Sequence, residues 1–299
     1  MEPSTAHATE FMAEVDLHAR IEGITNASVS TMRPVSGGDF ATAYRADLDD
    51  GRTVFAKTHP NPPPGFFTTE AAGLEWLAEP GVANVAHVLG VADVAPACLV
   101  LDWIDVGGGG RSVEGEAEFG RSLAELHQAG APAFGREDGR TTGSLALPND
   151  PCATWSEFYA DRRLRPLVQI AADRQALGRR TLDAVLDVAA RLDGFGAADE
   201  PPARLHGDLW AGNRVVDTNG TSWLIDPAAH GGHREFDLSM MQLFGGFGEN
   251  CFSAYDEVFP LAPGWRGRVG LHQLAPLIVH AIKFGGGYGA AVDDALADL

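Results

Sequence analysis

His206-Gly207-Asp208-Leu209-Trp210-Ala211-Gly212-Asn213 and, after a hairpin pattern, Trp223-Leu224-Ile225-Asp226-Pro227 carry Asp208, Asn213 and Asp226 in a fixed order. The flanking patterns make the first run a loop and the second an apolar strand that ends in a carboxylate. Any one of these residues could serve as a turn or cap, because Asp and Asn readily bond their own backbone. The joint pattern H-x-D-x-x-x-x-N, then an apolar strand ending in Asp, is more specific. One loop can set a proton-accepting carboxylate beside an amide, and the next strand adds a second hard oxygen ligand. Phosphoryl transfer uses such a set: Asp208 would orient an attacking hydroxyl and receive its proton, and Asn213 and Asp226 would hold Mg2+ against phosphates. The order and spacing match the catalytic loop and metal-binding Asp of kinases.

Such chemistry also needs a cation, and one stands upstream. Residues 42–46 and 53–57 read as short strands joined at Asp49-Asp50-Gly51, a hairpin turn. Val54-Phe55-Ala56-Lys57 puts an ammonium at the end of an apolar strand, where it reaches phosphates as a point charge. Before it, Ser36-Gly37-Gly38-Asp39 is a turn in which Gly37 and Gly38 would let backbone approach phosphate, although it is not a full G-x-G-x-x-G. After the proline cluster 60–64, Thr68 or Thr69 is expected to cap a helix that runs to about Glu79 and stops at Pro80-Gly81. Glu70, at its start, is placed to hold Lys57; Glu75, one turn on, is the competitor.

Further strands are expected at 85–91 and 98–104, and Gly107 to Gly110 reads as a flexible linker. Beyond it, 114–129, 155–172, 177–192 and the region from Asp237 onward read as helices, with brief strands at 214–216 and 223–225. The expected organisation is α+β: a small sheet unit over 1–102, a hinge over 103–110 and a larger helical unit over 111–299.

The net charge of -19, from 41 acids against 22 Lys and Arg, repels phosphate backbones and anionic lipid, so neither nucleic acid nor membrane is an expected partner. It also repels ATP, so a nucleotide site here has to neutralise locally. Cys98, Cys152 and Cys251 are widely spaced and form no C-x-x-C, which disfavours a disulfide framework and fits a reduced cytoplasm. The opening residues show neither a basic n-region nor an apolar h-region, so no secretory leader is expected. His230-Gly231-Gly232-His233 could suggest a metal pair, but two glycines make it a loop, and a zinc site wants further ligands that only Asp226, Glu235 or Asp237 could supply nearby.

Leu205 to Asn213, Ile225-Asp226-Pro227-Ala228, Gly232-His233-Arg234-Glu235-Phe236-Asp237-Leu238-Ser239-Met240 and Leu243-Phe244-Gly245-Gly246-Phe247 together resemble the fructosamine kinase (ketosamine-3-kinase) family. That family is similar in fold to aminoglycoside phosphotransferases and, more distantly, to protein kinases. Weaker likeness covers 37–57, Glu70, 99–106 and 155–163, so the resemblance spans most of the chain. It implies a two-lobed protein-kinase-like fold, with an antiparallel-sheet N-lobe, a helical C-lobe and ATP in the cleft, its adenine against Asp102, Trp103 and Ile104. ATP and Mg2+ are the implied cofactors. The implied activity is phosphorylation of the 3-hydroxyl of a ketosamine, free or on a glycated amine, which destabilises the adduct and restores the amine.

Two residues depart from related patterns. Asp39 stands where family members often carry a redox-active Cys, and Trp210 stands where a protein kinase has Lys, which disfavours a protein substrate. Trp210, His233, Arg234 and Glu235 are expected to border an acidic, aromatic-edged acceptor pocket, with Asp237 and His206 bracing the loop. The alternatives are a kinase for another small alcohol, aminoglycoside- or choline-like, and a non-catalytic kinase-fold binding protein. The presence of Lys57, Asp208, Asn213 and Asp226 weighs against the latter, and the lack of a G-x-S-x-G elbow weighs against a hydrolase.

Overall fold

The computed structural model describes residues 17–36, 41–107, 112–137, 145 and 147–299. Five antiparallel strands form the first sheet: β1 (Val29–Val35), β2 (Thr42–Leu48), β3 (Thr53–His59), β4 (Val88–Ala92) and β5 (Ala97–Asp102), in the order β1-β2-β3-β5-β4. The β2–β3 turn falls at the expected residues, with Gly51 at φ 87° and its N–H donating to the Leu48 carbonyl.

Period-two alternation fills both faces of this sheet. Val54, Ala56, Cys98 and Val100 point to one face, where they pack with Leu17 and Ile21 of α1 (residues 17–25). Phe55, Leu99 and Leu101 point to the other, toward Phe67, Ala71, Leu74 and Leu77 of α2 (Phe66–Ala78). Lys57 shares that second face by parity, opposite Leu99 of β5 in the register.

Two sequence expectations change here. α2 starts at Phe66, after Gly65 in the left-handed region at φ 75°, so neither Thr68 nor Thr69 is its cap. Strand β1 had no expectation behind it: it is an edge strand whose Pro34 needs no ladder partner, and its burial is only partial.

The rest of the described chain is mainly helical: α3 (Val113–Gln128), α4 (Trp155–Phe158), α5 (Arg165–Asp173), α6 (Arg179–Ala189), α7 (Glu235–Leu243), α8 (Glu249–Val258), α9 (Val269–Phe284) and α10 (Tyr288–Ala297). Between α4 and α5 the helix continues as a π-helical turn, Tyr159–Leu164, so one rod replaces the single α-helix expected. α3 and α8 approach closely at Gly120, where an added Cβ would stand 2.1 Å from the Cys251 carbonyl oxygen.

Two small antiparallel ladders interrupt the helices. β6 (Ala203–Leu205) pairs with β9 (His230–Gly232), and β7 (Arg214–Val216) pairs with β8 (Ser222–Leu224). β9 lies where a loop was expected: its glycines are required because a Cβ on Gly231 would fall 1.9 Å from the Ala133 carbonyl oxygen. Gly107 likewise is no free spacer. Its N–H donates to the Val216 carbonyl, and a Cβ there would meet the Asp217 carbonyl oxygen at 2.6 Å. Gly108 to Gly110 lie outside the described residues, as do Gly37, Gly38 and Asp39.

Candidate active site

The two ladders bring the loops together. β6 runs into His206-Gly207-Asp208, β7 starts just after Asn213, β8 runs into Asp226, and β9 returns beside β6. Leu205 opposite His230 and Arg214 opposite Leu224 therefore clamp the Asp208 and Asp226 loops at one point.

The loop is held from beneath by a buried carboxylate. Asp237, on the first turn of α7, accepts from the His206 N–H at 2.7 Å and the Gly207 N–H at 2.9 Å, with His127 Nε2 at 3.3 Å. Its own burial opposes ionisation, but bonds from His127 and the Gly207 N–H hold its pKa below the usual carboxylate range. His206 adds a cross-tie: its Nε2 lies 2.9 Å from the Ile225 carbonyl oxygen, and its Nδ1 accepts the Asp208 N–H. Gly207 takes φ 81°, and a Cβ there would stand 2.1 Å from the Ala228 carbonyl oxygen, so this position admits no side chain.

Asn213 Nδ2 donates to the Asp208 carbonyl at 2.8 Å and to its carboxylate at 3.1 Å, which leaves the Asn213 Oδ1 as an acceptor. Asp226 sits at φ 53°, an uncommon conformation for a non-glycine residue, and its carboxylate meets the Lys57 ammonium. Lys57 also bonds Glu70 Oε1 at 2.8 Å, and both side chains are nearly excluded from solvent. Burial opposes the lysine charge, yet the two carboxylates outweigh it and raise its pKa. Glu70, not the exposed Glu75, is thus the partner. Burial lifts the Asp208 carboxyl to about 7, with the Asn213 bond working against the rise and Asp226 and Asp237 adding to it.

Two cavities flank this cluster. The first, about 580 Å³, is lined by Val35, Ser36 and Ala41, by Phe55, Lys57 and Glu70, by Asp102, Trp103 and Ile104, and by Asn213 and Asp226, among others. The second, about 610 Å³, is lined by Arg163, His230, Phe236, Met240, Phe244, His280 and Tyr288 among others. Asp208, Trp210 and Lys283 line both, so the cavities meet at the Asp208 carboxylate.

Trp210 is 41% exposed, and its ring lies across Gly212, where a Cβ would be 2.2 Å from the indole. This explains glycine two residues after the tryptophan in the Trp-x-Gly-Asn run. The second cavity also carries residues for which sequence reasoning gave no role. Phe244, His280, Phe284 and Tyr288 form a ring cluster at its rim, with His280 centroids 5.1, 5.4 and 5.0 Å from the three others. The weak signal for them was the His280-to-Tyr288 run itself, whose aromatics and glycines exceed the needs of a helix end.

His233, Arg234 and Glu235 are not where they were expected. All three are buried and line neither cavity. Arg234 is bound bidentately to Glu200 at 2.7 and 2.9 Å and to the Phe259 and Pro260 carbonyls. Glu235 is gripped by Arg268 at 2.8 and 2.5 Å. His233 Nε2 faces the Ala197 carbonyl, and its Nδ1 accepts the Glu235 N–H. Buried charges have to be satisfied, and here they tie α7 to its neighbours.

His233, Glu235 and His272 do bring ligand-type atoms within 4.8 Å of one another. Arg268 on the carboxylate supplies the positive charge there, and the trio forms an ion-paired core cluster. The expected acidity of the second cavity is not met either: its only lining carboxylate among the described residues is Asp208, against Arg163 and Lys283.

Residues 14–299 match the family model described as fructosamine kinase. An Enterococcus faecium protein assigned as a ketoamine kinase is 35% identical over 267 residues, covering 89% of this chain and 94% of its own. The protein-ribulosamine 3-kinase of Arabidopsis thaliana chloroplasts is 33% identical over 282 residues, covering 91% of this chain and 84% of its own. A crystal structure from Thermobifida fusca, assigned as a fructosamine-3-kinase, superposes with a TM-score of 0.87 at 39% identity, covering 94% of this chain and 97% of its own. The architecture is the α+β, protein-kinase-like one. With the match running over nearly the whole chain, the chain belongs to the fructosamine kinase family.

Proposed function

We propose that this protein transfers the γ-phosphoryl group of ATP to the 3-hydroxyl of a ketosamine, a sugar joined to an amine by glycation. The observation that supports it best is the meeting of two cavities at one carboxylate. The first cavity has the charges a nucleotide needs: Lys57, held by Glu70, faces the phosphates, and Asp102, Trp103 and Ile104 border the base. Its hard oxygen donors, the Asp226 carboxylate and the Asn213 Oδ1, fit Mg2+, which prefers oxygen ligands and keeps several waters. Bound Mg2+ would supply the charge that shields the phosphates from the acceptor oxygen.

Asp208 then acts on the acceptor side. It accepts the hydroxyl proton as the oxygen bonds to the γ-phosphorus and the bond to the β–γ bridging oxygen breaks to release ADP, and its raised pKa suits a base that works near neutrality. Residues 1–102 form the nucleotide lobe in this reading, 103–110 the hinge, and 111–299 the lobe with base and acceptor site. The names of the relatives, ketoamine kinase and protein-ribulosamine 3-kinase, point to the same acceptor class.

The buried thiols Cys98, Cys152 and Cys251 suit a reducing cytoplasm. Among the described residues no helix is long and apolar enough to cross a membrane.

The test is side-by-side kinetics with Mg-ATP on fructose- and ribulose-amine adducts, an aminoglycoside and choline, with release of free amine followed after phosphorylation. The highest kcat/KM on a ketosamine, followed by amine release, is expected. A higher value on the aminoglycoside or choline overturns the ketosamine assignment and leaves a small-alcohol kinase.

A further inference from the structure

We propose that the acceptor cavity binds an oxyanion on the substrate, with the Arg163 guanidinium as its site. The proposal rests on the ketosamine reading and narrows it to ketosamines that carry a carboxylate or a phosphate.

Arg163 is 4% exposed and lines the acceptor cavity. Four arginines are buried among the described residues, and three of them have a carboxylate at short range: Arg214 has Glu116 at 2.6 Å, Arg234 has Glu200 at 2.7 Å and Arg268 has Glu235 at 2.5 Å. Arg163 has none among the described residues. Its Nη1 donates to the Pro148 carbonyl at 2.6 Å and the Arg162 carbonyl at 3.0 Å, and its Nη2 to Asn149 Oδ1 at 2.8 Å. A guanidinium has five N–H groups, so two remain without an acceptor among those residues. Its charge otherwise rests on the face of Phe158, 4.5 Å away.

The described surroundings do not neutralise it. His230 also stacks on Phe158, and burial, with Arg163 itself, pushes its pKa down to about 3, so it is a neutral ring at physiological pH. Burial lowers the Arg163 guanidinium to about 9, still charged near neutrality. A buried charge without a counter-ion is costly, and a ligand that completes the pair offsets that cost. The residue also sits on the π-helical turn, an arrangement frequent at functional sites. In a chain of net charge -19, a cavity wall with Arg163 and Lys283 against, among the described residues, Asp208 alone is the place where an anion is welcome. A volume of about 610 Å³ takes a sugar together with an amino acid.

Two sources share this chemistry: the carboxylate of an amino acid whose α-amine bears the sugar, and a phosphate on the sugar. The experiment compares fructosyl-glycine, its neutral isostere fructosyl-glycinamide, and the 6-phosphate of fructosyl-glycinamide, with Mg-ATP. Calorimetric titration of each without nucleotide gives a readout independent of turnover. An anionic adduct should exceed the neutral one in kcat/KM and in affinity by about ten- to hundredfold, the range of a charged hydrogen bond. Which anionic adduct does so names the source. Arg163→Gln should bring the ratio close to one, and Arg163→Lys should restore part of it. If the variants fail to fold by circular dichroism, the wild-type ratios decide alone. Equal turnover and affinity for all three adducts overturns the proposal and leaves the ketosamine reading intact. Turnover of none of them overturns both.

Discussion

The two cavities that share Asp208 follow opposite electrostatic plans. In the cavity proposed for the nucleotide the cation already has its partners inside the protein, with Lys57 between Glu70 and Asp226. In the cavity proposed for the acceptor the wall is largely aromatic and aliphatic, His230 is neutral, and Arg163 has no carboxylate partner among the described residues. In the proposed reaction, nucleotide binding therefore exchanges one partner of Lys57 for another, while acceptor binding adds a partner that was missing. Affinity for ATP should depend on how well the lysine frame is held, and affinity for the acceptor on what the substrate brings.

The largest effect is expected at the shared residue. Asp208→Asn should lower kcat by about 10²–10⁴ while calorimetric ATP affinity is retained. Turnover near wild type would remove Asp208 as the base and leave the two cavities without a common chemical centre. Lys57→Ala should come next and should fall on one cavity only: the KM for ATP rises by about ten- to hundredfold, the loss of charged hydrogen bonds, with the acceptor KM nearly unchanged. Lys57→Arg should not restore it fully, because a planar fork does not replace an ammonium between two carboxylates. Equal rises in both KM values would show that the walls do not act separately.

The pH dependence sharpens the comparison further. With Asp208 at about 7, kcat/KM should fall about tenfold per pH unit below that value and level off above it. An acid limb near 4 instead would place the carboxylate in water-like surroundings. Stability moves the other way. Between the ordinary value of 3.8 and about 7 the folded state holds the Asp208 proton and the unfolded state does not, so this group's contribution to stability falls as pH rises through that window. The melting temperature of Asp208→Asn relative to wild type should accordingly climb across the same window and then level. The smallest effect is expected at Trp210. Its ring is partly exposed, so Trp210→Ala should raise the acceptor KM by about two- to tenfold, more than it raises that for ATP.

The cluster of Lys57, Glu70, Asp208, Asn213 and Asp226 was largely legible in the sequence because its parts lie on short local patterns. Strand parity puts Lys57 on the face covered by α2, and helical spacing puts Glu70 there too. Asp208, Asn213 and Asp226 belong to one loop and the strand after it, so their closeness follows from the hairpin between them. The acceptor side was not legible, since its wall is assembled from the π-turn, α7, α9 and α10, which no local pattern relates. His233, Arg234 and Glu235 were misplaced for a related reason. Nearness in sequence to Asp226 suggested nearness in space, but Glu200, Phe259 and Arg268 draw them into the core from distant segments. Strand β1 escaped because polar residues and Pro34 hide its alternation. The short β9 was hidden by glycines that serve close packing.

Gly207 has a consequence for how mutations in this protein are to be interpreted. Its φ of 81° and the 2.1 Å approach of the Ala228 carbonyl oxygen to any added Cβ leave no room for another residue. A substitution there has to shift His206 and Asp208 together, because both flank it and the Asp237 tether reaches the same backbone. In a saturation library selected for folding alone, glycine should be recovered at 207 as stringently as in one selected for turnover, whereas Asp208 should be freed as soon as turnover is no longer demanded. The contrast between those neighbouring columns separates the architecture of the loop from its chemistry without a single kinetic measurement.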